Sequence, residues 1–495
     1  MTKQASCRKG NSGAARAAKA MIVLAVAGTL AARATASSAS PAGSAPAAMS
    51  VSPTRGTPTS LTRISADGFE PGETVDAIFD TATPAGSTIA DSAGNVSMTV
   101  QIPTAARPGT HLIGAIGETT STTATSQFIV STPWLQAGYD ATHAGFNPFE
   151  NVVTVDSAAG LHLVWSIDTG TSVFVNAGIS TLAGSLYIVT AEPSTGSERL
   201  ERRRLTDGHL RWSIALPGGA RSDGITLFQG KVATQSFIAF SQATGATAWS
   251  GSAYDSSAPS FAKGSLFYPY GPRSYGNGGF VSADPSTGDP RWYAFPPPSS
   301  TGYAKGPTVG RRFAMQASKS GTLMAAKLSD HSVAWSRLVY PTSQISLSAD
   351  ERKGYVGVCD AGSCPILAVD VATGVDAWRS DTTACPGRGS FDPAVAYGKV
   401  FSIDGVGLLC AFDGVDGHFL WSRNLAPHSN TSTRAVVAGG LVYVTSDNGD
   451  VVAMDANTGA TAWSTNVGSI PTNVTVSDGY VLVGCEDGHV YAFTV

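Results

Sequence analysis

Two regimes of hydrophobic patterning divide this chain of 495 residues. From 51 to 132, apolar and polar residues alternate in short runs: TVDAIFD (74–80), NVSMTVQI (95–102), THLIGAI (110–116) and SQFIV (126–130). Alternation at period two, broken by turn residues at roughly ten-residue spacing, predicts a small antiparallel β-sandwich. From 159 to 495 the pattern is an internal repeat. VVAMDANTGATAWSTNV (451–467) is echoed by ILAVDVATGVDAWRS (366–380), FVSADPSTGDPRWYAF (280–295) and FIAFSQATGATAWSG (237–251). Its tryptophans are Trp165, Trp212, Trp249, Trp292, Trp335, Trp378, Trp421 and Trp463, at intervals of 47, 37, 43, 43, 43, 43 and 42 residues. A period near 43 filled by short strands is the length of one four-stranded propeller blade. Helical solenoids of similar period fail, because the repeats lack helical spacing and carry hairpin turns.

The two ends of the repeat are complementary. After Trp463 come three strand-like runs, SIPTNVTV (469–476), YVLVGC (480–485) and HVYAFTV (489–495), with no fourth. At the front, LHLVWSIDTG (161–170) is a tryptophan strand with no first three. Pairing these ends closes a ring of eight blades and removes an exposed sheet edge. Within each repeat, Gly208, Gly245, Gly288, Gly374, Gly417 and Gly459 stand four residues before the tryptophan. That place ends a tight hairpin where positive φ favours glycine. His331 holds it in the repeat MAAKLSDHSVAWSRLV (324–339), so a looser turn is expected there. Asp284, Asp370, Asp413 and Asp455, eight before the tryptophan, read as turn caps that accept backbone N–H groups. Repetition at one place in different blades argues against catalysis or metal binding by them. The tryptophans read as anchors between blades.

The pattern A-x-D-x-x-T-G-x-x-x-W resembles the tryptophan docking motif of the pyrroloquinoline-quinone (PQQ)-type propellers. Ala453, Asp455, Thr458, Gly459 and Trp463 match it in full, as do Ala368, Asp370, Thr373, Gly374 and Trp378. Ser282, Asp284, Thr287, Gly288 and Trp292 come close. The resemblance covers 159–495 and implies that each indole stacks on the neighbouring blade's glycine. QAGYDATHAGFNPFE (136–150) also resembles the lead-in of bacterial members. The family includes dehydrogenases that oxidise alcohols or sugars with the quinone and Ca²⁺, and non-catalytic members that serve as protein-docking platforms. The methanol-oxidising type carries adjacent cysteines over the cofactor; this chain has no Cys-Cys pair and no C-x-x-C-H haem motif. Segment 51–132, with GFEPGETV (68–75), resembles the immunoglobulin-like modules of bacterial surface proteins.

Composition changes the picture chiefly by placing the protein outside the cytoplasm. Lys3, Arg8, Lys9, Arg16 and Lys19 precede the apolar run MIVLAVAGTLAA (21–32) and Ala34-Thr35-Ala36, the pattern of a cleavable signal peptide over 1–36. The apolar run is too short to span a bilayer. Residues 37–50, SSASPAGSAPAAMS, read as a disordered linker, and the aromatic stretch 133–158 as an ordered connector laid over the ring. Tyr139, Asp140 and His143 within it read as packing residues. A net charge of -4 provides no footprint for nucleic acid. Beyond Cys7 there are five cysteines. Cys359–Cys364 across a hairpin and Cys385–Cys410 are the expected disulfides, with Cys485 left unpaired; metal ligation lacks the spacing. Overall the composition fits a secreted, extracytoplasmic protein of bacteria.

Candidate chemistry is sparse. There is no H-E-x-x-H, P-loop or G-x-S-x-G, the eight histidines are scattered, and TSDNGDV (445–451) and CEDGHV (485–490) are hairpin turns rather than calcium loops. Arg202–Arg204 reads as a solvated strand face. The loops entering the innermost strands should begin 10–14 residues after each tryptophan and line the channel mouth. They contain Asn176, Asp223, Lys305, Asp392, Arg434 and Asn473, which converge as candidate ligand-binding residues for a small polar or anionic ligand. Asp223 or Asp392 would be the base of a PQQ- and Ca²⁺-dependent dehydrogenase. The reading that these features favour is an exported non-catalytic scaffold with a protein or surface-glycan partner, no cofactor and no metal. A glycan-binding role would rest on Tyr268, Tyr270, Tyr275 and Tyr303.

Overall fold

The computed structural model describes residues 47–81, 83–170, 172–173, 178–192, 194–217, 224–234, 237–251, 257–270, 279–296, 306–318, 321–359, 363–385, 392–425 and 434–495. The expected signal peptide lies outside them. The chain forms two compact units, 1–132 and 133–495. No helix of the described residues is long and apolar enough to cross a membrane.

The first unit is a β-sandwich. Met49–Ser52, Leu61–Ala66 and Val96–Gln101 form one sheet; Thr74–Phe79, Thr83–Ile89, Gly109–Gly117 and Thr123–Val130 form the other, joined by Arg55–Gly56. Val51, Ile64, Phe79, Val100, Ile113 and Phe128 fill the space between them. The linker reading is corrected at its end. Met49–Ser52 is already a strand paired with Arg63–Ala66, because Met49 packs against the sandwich core and Ala48 donates its N–H to the Asp67 carboxylate.

In the second unit, eight sheets among the described residues are each built on four antiparallel strands, consecutive in the chain in seven of them. Each is a blade, numbered here in chain order. In blade 8, His162–Asp168 pairs as the outermost strand with His489–Thr494, followed inward by Tyr480–Cys485 and Pro471–Ser477. The ring therefore closes by its two ends, as the incomplete repeats require.

Glycine and tryptophan meet between blades. A Cβ placed on Gly417 would lie 2.4 Å from the Trp378 ring, and one on Gly374 2.5 Å from Trp335. Gly208, Gly245, Gly288 and Gly459 stand in the same way against Trp165, Trp212, Trp249 and Trp421. Only a residue without a side chain leaves room for the indole. The indole N–H of Trp165, Trp212, Trp249, Trp335 and Trp378 donates to a carbonyl of the same hairpin, as Trp335 does to Val371 at 2.9 Å, whereas that of Trp421 has no partner among the described residues. At the ring closure, Trp463 donates to Leu161 at 3.2 Å.

The expected loosening at His331 does not occur. Its N–H donates to Lys327 O at 3.1 Å, the bond that glycine makes in the other hairpins. His331 adopts φ 64° and lays its ring on Trp292, 4.4 Å between centroids and 7° from parallel. Stacking replaces the close approach that glycine permits elsewhere. The Arg202–Arg204 reading also needs correction. Arg203 is buried, with Nε 2.7 Å from the Glu201 carboxylate and a further hydrogen bond to Gly208 O.

Candidate functional site

The centre of the ring is built by its eight innermost strands. Six begin with, or contain, a hydroxyl that bonds a carbonyl of the adjoining blade. Ser180 donates to Ile225 O at 3.1 Å, Thr226 to Pro259 O, Ser260 to Pro307 O at 2.6 Å, Thr308 to Ile345 O at 2.7 Å, Ser346 to Pro393 O at 2.6 Å, and Thr475 to Ile179 O at 2.9 Å. Ala394 and Val436 lack the hydroxyl.

Inside this ring of hydroxyls runs the connector. It was expected to lie over the propeller; instead it passes along the axis and bonds each blade in turn. Thr181 N–H donates to Trp134 O at 2.8 Å, Leu227 to Leu135 O at 2.8 Å, Phe261 to the Gln136 side-chain oxygen at 2.8 Å and Val309 to Ala141 O at 2.7 Å. Leu347 follows on Thr142 O at 3.0 Å, Val395 on Ala144 O at 2.7 Å and Val437 on Gly145 O at 2.8 Å. Asn147 completes the circuit by donating to Val476 O at 2.9 Å. An innermost strand would otherwise present these N–H groups as an open edge, which costs free energy when buried. We call this segment the axial belt.

At the two blades without a hydroxyl the belt also packs closely. Phe146–Asn147 pairs in parallel with Val437–Ala438. A Cβ on Gly145, which has φ 64°, would stand 3.2 Å from the Ala394 Cβ. Small residues at 145 and 394 are what the contact requires.

Of the six expected channel-mouth residues, Asn176, Asp223 and Lys305 lie outside the described residues. Asp392 and Arg434 do come together, and with them His143 of the belt. Arg434 Nη2 donates to His143 O at 2.7 Å, and Ser346 Oγ, whose one proton is shared with Pro393 O, lies 2.7 Å from the same carbonyl. Asp392 Oδ1 accepts the Gln344 N–H at 2.6 Å. Asp392 and Arg434 interact electrostatically, and both act on His143. Asn473 sits in the strand Pro471–Ser477 rather than in a loop.

His143 has a single tautomer in this network. Ser260 gives its one proton to Pro307 O, so it accepts from His143 Nε2–H at 2.8 Å. Burial first, and the Arg434 charge second, push the imidazole down to about 3, so it is neutral. Burial pushes the Asp140 carboxyl up, although Thr142 donates both its N–H and hydroxyl to it. These groups hold the belt in place: a neutral ring, a guanidinium on a carbonyl and a carboxylate capping its own turn. Sequence reasoning treated Tyr139, Asp140 and His143 as packing residues, but their axial place left no periodic signal.

Elsewhere the candidate groups are structural. The expected turn caps are formed: Asp370 Oδ1 accepts Ala372 N–H, Thr373 N–H and Thr373 Oγ1. Hydrogen bonds from Ser286 and Arg291 hold the Asp284 carboxyl far below the usual range. Asp413, Asp416 and His418 bring ligand atoms within 4.8 Å of one another, but Asp413 accepts the Val415 N–H and Asp416 pairs with His418. Cys359–Cys364 and Cys385–Cys410 are bridged; Cys485 is free and buried. Tyr268 is buried, which corrects its reading as a surface aromatic, and Tyr275 and Tyr303 lie outside the described residues. Tyr270 packs with Tyr293 and Phe295.

Comparison with known proteins follows the fold. A family model described as outer membrane protein assembly factor BamB matches residues 149–295 and 276–495. BamB of Salmonella typhimurium is 33% identical over 96 residues, 18% of this chain and 24% of that protein. BamB of Escherichia coli K12 is 32% identical over 107 residues, 19% of this chain and 27% of that one. The matched stretch thus spans about a quarter of these relatives. Among solved structures, BamB from Moraxella catarrhalis superposes with a TM-score of 0.52 at 16% identity, covering 68% of this chain and 98% of that one. A europium-containing methanol dehydrogenase gives 0.57 at 13% identity (74% and 98%). The quinohemoprotein alcohol dehydrogenase of Comamonas testosteroni gives 0.56 at 14% (73% and 80%). At such identities the structural likeness establishes the propeller fold alone.

Proposed function

Because this chain belongs to the family described as outer membrane protein assembly factor BamB, we propose that it is an exported, non-catalytic scaffold that uses its propeller as a protein-docking surface. Its first unit then serves as an immunoglobulin-like spacer. The observation that carries this reading is the axial belt. A propeller enzyme needs its ring centre for a cofactor and substrate, whereas here the chain itself bonds each innermost strand. What remains for recognition is the outer surface of the blades and their turns.

The described axial residues do not fit PQQ and Ca²⁺. A flat, polyanionic quinone needs open space and cationic or N–H partners. At the axis Arg434 Nη2 donates to the His143 carbonyl while its buried Nε has no partner among the described residues, Asp392 accepts the Gln344 N–H, and His143 is neutral. The competing reading is a quinone-dependent dehydrogenase of alcohols or sugars, favoured by the fold shared with two alcohol-oxidising proteins. Calorimetric titration of the mature protein with PQQ and Ca²⁺, beside a dye-coupled alcohol assay, separates the two. The scaffold reading expects no saturable binding at micromolar quinone and no turnover. Saturable binding with turnover would replace it by the enzyme.

A further inference from the structure

Blade 5 closes one of its turns with a covalent bond where its neighbours use hydrogen bonds. Between the second and third strands of blades 4, 6 and 7, Gly321 N–H donates to Ser318 O at 3.0 Å, Gly407 N–H to Asp404 O at 3.1 Å and Gly449 N–H to Ser446 O at 3.1 Å. In blade 5 those strands are Lys353–Gly357 and Ile366–Asp370, and Cys359 and Cys364 are bridged between them. Three blades make this turn without sulfur, so the blade itself does not require the bridge.

The pair also differs from Cys385–Cys410 in access. Cys359 and Cys364 are both partly exposed, whereas Cys385 and Cys410 are buried in a cluster with Trp378, Val395 and Phe412. An incoming thiolate must reach a sulfur of the bond that it breaks, so exposure decides which bridge exchanges in the folded chain. The accessible cysteines are 5 residues apart, against 25 for the buried pair. A bridge over a shorter loop restrains the unfolded chain less, so the fold depends on it less.

What the accessible bridge holds is the linker from blade 4 to blade 5. Val358 donates to Pro365 O at 3.0 Å on one side and forms a β-bridge with Pro341 on the other. Cys359 N–H donates to Tyr340 O at 3.3 Å, Thr342 N–H to Gly357 O at 2.8 Å and Gly357 N–H to Ser343 Oγ at 2.7 Å. Gln344 follows and donates its N–H to Asp392, the neighbour of Arg434 and His143 at the axis. The bridge thus caps a zipper of 340–343 against 357–359, and the far end of that zipper is a belt contact.

We infer that Cys359–Cys364 is a thiol–disulfide exchange site whose co-reactant is a dithiol, and that its opening unzips 340–344 and releases Asp392 from Gln344. One thiolate of the dithiol attacks a bridge sulfur, the S–S bond breaks and the departing cysteine takes a proton. The dithiol's second sulfur then attacks the mixed disulfide and frees the other cysteine. Two electrons and two protons have passed to the pair, and the reductant leaves as a cyclic disulfide. The site goes beyond the scaffold reading and does not depend on it.

The test treats the folded, mature full-length protein with dithiothreitol, traps thiols by alkylation and locates them by mass spectrometry. Cys359 and Cys364 should be labelled while Cys385 and Cys410 stay bridged. Hydrogen exchange on the same sample should speed up about tenfold or more at Thr342 and Gln344, with Leu227 in blade 2 unchanged. Reoxidation should restore the slow rates. Cys359→Ser combined with Cys364→Ser should show the fast rates without reductant, at a Tm that verifies a folded protein. A pair that stays closed, both bridges opening together, or opening that leaves Thr342 and Gln344 slow would each overturn the inference.

Discussion

Arg434 reaches from the start of blade 7 to the axis and donates Nη2–H to the carbonyl of His143 at 2.7 Å. One bond thus ties the penultimate blade to a residue nearly 300 positions earlier in the chain. Removing it in Arg434→Ala loses a charge-assisted hydrogen bond and the cation beside Asp392, and should destabilise by about 1.5–3 kcal/mol. Urea denaturation checks this, with the midpoint falling and the slope unchanged. Arg434→Lys should recover only part of the loss, since a single ammonium does not reproduce the planar fork.

Acid should loosen the belt through His143. In the unfolded chain this imidazole titrates near 6.5; in the folded protein it is pushed down to about 3. Between those values the unfolded state holds a proton that the folded state lacks. Stability is therefore full above 6.5 and falls as pH drops toward 3, by at most about 1.4 kcal/mol per unit. Asp140, whose carboxyl is raised by burial, acts in the opposite sense. Comparing wild type with His143→Asn isolates the histidine contribution, because asparagine tolerates the positive φ at this position. Equal slopes for the two proteins in this window would remove His143 from the account.

The interblade contacts should differ in what they tolerate. Trp378→Ala empties the space against Gly417 and should cost about 3–5 kcal/mol. His331→Gly should be nearly neutral, because relief of positive φ, about 1–2 kcal/mol, offsets a lost aromatic stack of about 0.5–1.5 kcal/mol. Thermal melts of both variants test the contrast. A large loss at His331 would mean that its ring is an anchor comparable to tryptophan.

Thiol chemistry separates the cysteines. Burial pushes the Cys485 thiol up to about 12, so it should resist alkylation at pH 8 in the native protein and react once unfolded. Reduction of Cys385–Cys410, which are 25 residues apart, should cost about 3 kcal/mol. Mass spectrometry after alkylation, native and denatured, follows both.

The propeller was legible in the sequence because its contacts repeat. Six of the tryptophans meet a glycine that stands four residues before the next tryptophan, and the unpaired strands around Trp165 and after Trp463 announced their own pairing. Asp392 and Arg434 were found by counting from their tryptophans, although the mouth to which they were assigned proved to be a belt contact. The belt itself was not legible. Residues 134–147 bond to eight different blades, six through backbone carbonyls and two through the Gln136 and Asn147 side chains, so no local period marks them. The hydroxyls Ser180, Thr226, Ser260, Thr308, Ser346 and Thr475 were a usable signal of bonds between neighbouring blades, since polar residues in apolar inner strands need partners, and Ser260 and Ser346 also touch the belt. His331 misled because its sequence shows the missing glycine but not the stack on Trp292.

The central claim is that the chain occupies its own axis, and amide-resolved hydrogen exchange tests it most directly. Thr181, Leu227, Val309, Leu347, Val395 and Val437 point their N–H groups at belt carbonyls from the inner edge of the ring. With the belt in place these amides should exchange as slowly as those in the middle of the blades. Exchange at the rate of open strand edges would mean that the axis is free, and the scaffold reading would lose its support.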